Sequence, residues 1–144
     1  MQNTQSKVLF IEDDEMLQRM YTTFLNNRGY IVSSAYDGVE GLQKAVQEHP
    51  DIILLDIRMP KMDGITMLTK LRQDSWGKDA KVIILTNLDA NDEILKGVVA
   101  GHPSYYLIKS NIKPETVVEY MDMVFEEQKK EKQEETIHGK DTTY

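Results

Sequence analysis

The sequence has no cysteine, which excludes a disulfide framework and any thiolate metal site and fits a cytoplasmic protein. It is short of positive charge: 17 Lys and Arg stand against 24 Asp and Glu, a formal charge of -7 with a pI near 4.9. A domain built to grip nucleic acid needs a basic face for the phosphates, so direct nucleic-acid binding is not expected. Long hydrophobic runs are missing too. The longest aliphatic runs, Ile52–Leu55 and Val82–Leu85, have four residues each, against roughly 18 for a membrane span. No membrane insertion is expected. The polar start, Met1 to Lys7, lacks the apolar stretch of a signal peptide. What remains is 144 residues, 40% hydrophobic, enough for one domain with its own core.

Short apolar runs recur along the chain at Val8–Ile11, Tyr30–Val32, Ile52–Leu55, Val82–Leu85 and Tyr105–Ile108. They are apolar throughout rather than alternating, the pattern of strands covered on both faces of a parallel sheet. Each is followed by a helical pattern. Met16/Leu17, Met20/Tyr21 and Phe24/Leu25 form the first stripe, stopped by Gly29. Asp37 and Glu40 read as a capping box ahead of Val39, Leu42 and Val46. A third helix carries Ile65, Leu68 and Leu71 and ends near Ser75–Gly77; a fourth carries Ile94, Leu95 and Val98 and ends at Gly101. The last starts at Pro114 and buries Val117, Met121, Val124 and Phe125. Five such βα units imply a three-layer α/β fold, a doubly wound parallel sheet with right-handed crossovers. Residues 1–125 form the domain. Residues 126–144, ten of them charged, form a tail read as a helical extension, with pairs such as Glu126 and Lys130, and then a frayed end from Thr136.

In open α/β sheets ligands bind beyond the carboxyl ends of the strands. There the sequence places Glu12-Asp13-Asp14 after the first strand, Asp56 after the third, Thr86 at the end of the fourth and Lys109 after the fifth. An acid after a strand can simply cap the next helix, and Asp14 fits that role. Asp56 follows four aliphatic residues, where an unpaired charge is costly, and it would feel repulsion from Glu12 and Asp13. Three carboxylates without His or Cys suit a hard, oxygen-liganded cation that keeps some of its water, Mg²⁺ before Ca²⁺, with Mn²⁺ as the alternative. Lys109 reads as the counter-charge and Thr86 as a hydroxyl for a joining anion. Carboxylate nucleophile, metal, hydroxyl and lysine make a phosphoryl-transfer set.

The segment Asp56-Ile57-Arg58-Met59-Pro60-Lys61-Met62-Asp63-Gly64 resembles the D-x-x-M-P-x-x-D-G stretch of bacterial two-component response-regulator receiver domains. Glu12-Asp13, Thr86 and Lys109 match the other functional positions of that family. The resemblance spans about residues 6 to 125 and implies a flavodoxin-like strand order 2-1-3-4-5. It also implies Asp56 as phosphoacceptor, Glu12, Asp13, Asp56 and the Arg58 backbone carbonyl as Mg²⁺ ligands, and Thr86 and Lys109 as contacts to the phosphoryl oxygens. Tyr106 falls where the family carries an aromatic switch that works with Thr86. Implied partners are a sensor histidine kinase or histidine phosphotransfer protein as donor, a downstream protein target, and a second copy of the chain if phosphorylation drives dimerisation. The chain reads as a stand-alone, chemotaxis-regulator-like phosphoacceptor and not as an enzyme; a phosphorylation-independent adapter is the alternative. A haloacid-dehalogenase-type phosphatase would carry D-x-D on the first strand, and a flavin module would not have an acidic first loop.

Two departures from the family pattern stand out. Ser110 replaces the proline that usually follows the lysine, so the Lys109–Ser110 bond is either trans in a reshaped loop or cis at a cost of about 2.5–4 kcal/mol. The loop His102-Pro103-Ser104-Tyr105 is one residue longer than usual. In addition, Asn87 is larger than the alanine or glycine common after Thr86, a feature expected to slow access to Asp56. His49, His102 and His138 lack ligand spacing and read as surface residues; the methionines read mostly as core filler. Trp76 either covers the end of the third helix or marks a partner surface.

Overall fold

The computed structural model describes residues 5–88 and 91–141, with side chains to residue 135. Five parallel strands form one sheet: β1 (Lys7–Ile11), β2 (Ile31–Ala35), β3 (Ile52–Leu55), β4 (Val82–Thr86) and β5 (Tyr105–Ile108), in the order β2-β1-β3-β4-β5. Five helices connect and follow them: α1 (Glu15–Asn27), α2 (Gly38–Glu48), α3 (Gly64–Gln73), α4 (Asp92–Gly101) and α5 (Pro114–Asp141). Helices α1 and α5 cover one face, burying Val8, Phe10, Leu54, Ile83 and Leu85 with Tyr21, Leu25, Val117 and Met121. The other face buries Leu9, Ile11, Ile53, Leu55 and Ile84 against α2, α3 and α4. Side chains alternate along each strand, so where β1, β3 and β4 are covered on both faces, at Val8–Ile11, Ile52–Leu55 and Val82–Leu85, every position is apolar.

Local chemistry sets the helix starts. Asp14 accepts from the N–H groups of Met16 and Leu17, Asp37 from Glu40, Asp63 from Thr66 and Asn91 from Ile94. The Glu40 carboxylate reaches back to the N–H of Tyr36 at 2.7 Å, one residue earlier than a reciprocal capping box. Gly29 takes φ 91 after α1, as a stop signal should. At the end of α4 the left-handed residue is His102, φ 49, as His49, φ 50, is at the end of α2. Gly101 serves packing instead: a Cβ there would lie 2.3 Å from Leu68 Cδ2.

Several expectations are corrected. β2 runs on through Ser33 and Ser34 to Ala35 because their backbones pair with Leu9, Phe10 and Ile11; on an edge strand half-buried serines suffice. Met16, Met20 and Met123 are exposed rather than core, as are Val39 and Leu95. The buried stripe of α1 is rotated to Gln18, Tyr21 and Leu25. Glu126 pairs with Lys129 at 3.6 Å, three residues on rather than four. The backbone of α5 stays helical to Asp141, beyond the expected onset of fraying at Thr136; residues 142–144 and the side chain of His138 lie outside the described residues. Exposed His49 stacks on Trp76, rings 4.5 Å apart and 7° from parallel, so Trp76 closes the space between the ends of α2 and α3.

Candidate functional site at the carboxyl edge of the sheet

β1 and β3 are adjacent, and the chain turns to opposite sides of the sheet after each, which opens a crevice above their carboxyl ends. Four strands deliver side chains to it. Glu12 and Asp13 leave β1, Asp56 leaves β3, Thr86 ends β4 and Lys109 follows β5. One ligand oxygen from each of Glu12, Asp13 and Asp56 lies within 4.8 Å of the other two. Glu12 is 1% exposed and Asp56 5%, whereas Asp13 faces solvent. Lys109 spans the buried pair: its Nζ donates to Glu12 Oε1 and, at 3.1 Å, to Asp56 Oδ2. The remaining oxygens are held by backbone, Glu12 Oε2 by the N–H of Asp14 at 3.0 Å and Asp56 Oδ1 by that of Ile57 at 2.8 Å.

One ammonium cannot neutralise three carboxylates. Burial pushes the Glu12 carboxyl up from 4.5 to about 7, Asp56 adds to the rise, and the hydrogen bonds from Lys109 and the Asp14 N–H oppose it. For Lys109, burial works against the charge, but the hydrogen bond to Glu12 and the charges of Asp56 and Glu12 outweigh it and raise the amine above its ordinary value. A surplus of buried negative charge with one solvent-facing acid is an all-oxygen donor set that fits Mg²⁺.

The D-G of the central segment has a mechanical basis. Asp63 caps α3, and Gly64 follows with its N–H on the Ile57 carbonyl at 2.7 Å. A Cβ on Gly64 would come within 2.1 Å of the Asp56 carbonyl oxygen. Glycine therefore lets α3 start directly against the backbone of Asp56. Exposed Arg58 lines a cleft of about 450 Å³ together with Asp56, Thr86, Asn87, Leu88 and Lys109.

Thr86 is buried, and its hydroxyl accepts from the Leu88 N–H at 3.3 Å. Tyr106, half-buried against the α2–α4 face, donates from its hydroxyl to the Leu88 carbonyl at 2.6 Å. The two positions therefore meet on one residue, Leu88, which sequence reasoning missed. Also missed was Gln18: buried in α1, its amide nitrogen lies 2.9–3.0 Å from the carbonyls of Phe10, Glu12 and Ala35 and fixes the end of β1. Its signal was a polar residue on the buried stripe, four positions after the Asp14 cap. No peptide bond is cis among the described residues, so Lys109–Ser110 is trans, and residues 109–111 form a 3₁₀ turn.

The response regulator receiver domain family matches residues 8–122. Among curated relatives, the DNA-binding dual master transcriptional regulator RpaA of Synechocystis is 36% identical over 99 residues, covering 69% of this chain and 41% of the relative. The probable transcriptional regulator ycf27 of Guillardia theta is 37% identical over 102 residues, 71% and 39% of the two chains. The chain thus spans about two fifths of the length of these relatives. Among solved structures, the CheY-like receiver domain protein of Methanospirillum hungatei superimposes with a TM-score of 0.80 at 27% identity, covering 88% of this chain and 98% of that one. Chemotaxis protein CheY4 of Vibrio cholerae gives 0.75 at 30% identity, covering 83% and 98%. Sheet order, the match over most of the chain and these superpositions agree: the chain belongs to the response regulator receiver domain family.

Proposed function

We propose that this chain is a phosphoacceptor signalling protein that takes a phosphoryl group on Asp56 from the phosphohistidine of a sensor kinase or phosphotransfer protein in the cytoplasm. The single observation that carries the reading is the bridge from Lys109 to Asp56 and Glu12 with Asp13 beside them. In the transfer, an Asp56 carboxylate oxygen attacks phosphorus, the P–N bond breaks with its electron pair going to the imidazole, and an acyl phosphate forms. Lys109 already lies on the Asp56 oxygen and can follow the charge onto the phosphoryl oxygens; Thr86 offers its hydroxyl to the same anion. Glu12, Asp13, Asp56 and the Arg58 carbonyl would hold Mg²⁺, whose chemistry is neutralisation of charge on the phosphoryl oxygens. The chain turns over no external substrate; its product is its own modified state.

Output follows from Leu88. When the Thr86 hydroxyl turns to the phosphoryl group it leaves the Leu88 N–H, and the Tyr106 hydroxyl is bound to that same residue. The surface of α4 and β5 thereby gains two states biased by local hydrogen bonds, which a downstream protein or a second copy of the chain can distinguish. The relatives' names describe DNA-binding regulators, and a related solved structure is a CheX-CheY complex with BeF3 and Mg from Borrelia burgdorferi, TM-score 0.73 at 28% identity, covering 83% of this chain and 89% of that one. Protein recognition supports the present reading better than direct contact with nucleic acid, given the charge of -7.

The test is intact mass after incubation with acetyl phosphate. A Mg²⁺-dependent gain of about 80 Da, one phosphoryl group, that disappears in Asp56→Asn is expected. An undiminished gain in that variant refutes the assignment. No gain in the wild-type protein that binds Mg²⁺ favours either a strict requirement for a phosphohistidine donor or an adapter.

A further inference from the structure

The two unusual residues beside the site, Asn87 and Ser110, are bonded to each other. The Ser110 N–H donates to Asn87 Oδ1 at 2.9 Å. Thr86 and Ile108 are the last paired residues of β4 and β5, so this bond continues the junction past the end of the sheet, with a side-chain oxygen in place of a backbone carbonyl. Its two halves depend on each other. A proline at 110 has no N–H to give, and an alanine or glycine at 87 has no side-chain oxygen to receive it. Around it, Leu88 donates to Thr86, and Tyr106 donates to Leu88. The loop after β4 is therefore tied to the β5 segment by Tyr106, three residues before Lys109, and by Ser110, one residue after it.

We infer that Asn87 is a positioning residue. Through the Ser110 N–H it fixes the spacing between Thr86 and Lys109, the two groups that seat the phosphoryl oxygens, before any phosphoryl group arrives. This inference rests on the phosphoacceptor reading of Asp56. A seat assembled in advance loses less freedom in the transition state, so the bond acts on the rate of phosphorylation. The side chain of Asn87 acts as an acceptor here, beyond any effect of its bulk on access.

The experiment is a double-mutant cycle on the Mg²⁺-dependent rate of Asp56 phosphorylation by acetyl phosphate, with Ser110 amide hydrogen exchange measured in parallel. Asn87→Ala and Ser110→Pro are each expected to slow phosphorylation by about three- to tenfold, the range of one net hydrogen bond. The double variant is expected to be no slower than either single one. Ser110→Ala, which keeps the N–H, is expected to match the wild type. Asn87→Ala is expected to speed exchange of the Ser110 amide, a readout independent of Ser110→Pro and its folding. A faster Asn87→Ala reaction, an unchanged Ser110→Pro rate, additive losses or an unchanged Ser110 exchange rate would each overturn the inference. Absence of label on the wild-type protein from both acetyl phosphate and a phosphohistidine donor would instead sink the phosphoacceptor reading and this role with it, so the two failures are told apart by the wild-type control.

Discussion

At the scale of the residue, the site is an unbalanced charge problem. Glu12 and Asp56 are almost fully buried and share the single ammonium of Lys109, with Asp13 adding a third carboxylate at the surface. Each buried oxygen is nevertheless held, by Lys109 or by a backbone N–H. Such an arrangement is preorganised for more positive charge than the chain supplies. Removing Lys109 leaves two buried acids without their counter-ion, the situation in which breaking a buried pair is most costly. Lys109→Met should therefore lower the unfolding free energy of the metal-free protein at pH 8 by about 3 kcal/mol. Urea denaturation checks this; a variant as stable as the wild type would show that solvent, and not Lys109, screens the pair.

At the scale of the element, the strands buried on both faces were legible because their apolar runs are unbroken. β2 was legible only at its start: Ser33 and Ser34 look like a loop, yet an edge strand is held by backbone pairing and tolerates them. Helix existence and caps were readable from Asp14, Asp37 and Pro114, but the buried face was less so. A methionine pair in α1 mimics a core stripe while the helix turns Gln18 inward. The candidate site residues were legible by identity and strand position. The Lys109–Glu12 contact was not, since it joins residues 97 apart, nor was the Asn87–Ser110 bond, since each residue was legible as a departure but nothing in the sequence places the two side by side. Arg72 in α3 carries no signal in the sequence, since its partners are backbone carbonyls of other segments. Its guanidinium donates to the carbonyls of Gly101, Gly77 and Ala80 at 2.6–2.8 Å and to His102 at 3.2 Å, joining α3, the turn before β4 and the end of α4. Arg72→Leu should cost about 2–4 kcal/mol by orphaning those carbonyls, seen as a lower denaturant midpoint with an unchanged slope. A loss below half a kcal/mol would mean that water replaces the guanidinium without penalty.

At the scale of the whole molecule, the sheet separates two cores that meet only through its strands, and the site draws a residue from four of those strands. Each layer also touches the site directly, α1 through Gln18 on the Glu12 carbonyl and α3 through Gly64 against the Asp56 backbone. The α1/α5 layer offers a way to load one side selectively, because it holds two fully buried phenols, Tyr21 and Tyr30, each 3% exposed, whereas Tyr106 on the opposite core is half-buried. Burial pushes both up from 10 to about 12; Glu115 and Glu12 add to the rise at Tyr21, and Asp122 adds to it at Tyr30. An acid whose folded pKa is raised binds its proton more tightly in the native state. Its contribution to stability is complete below pH 10 and is lost as pH rises through 12. Each phenol should contribute about 2–3 kcal/mol by this route. Urea unfolding measured from pH 9 to pH 12 should show a fall in stability that is much shallower in the double variant Tyr21→Phe/Tyr30→Phe, with the two proteins differing little at pH 9. Parallel curves for the two proteins would mean that the phenols ionise without opening the α1/α5 layer, and that this core admits solvent far more readily than its packing indicates.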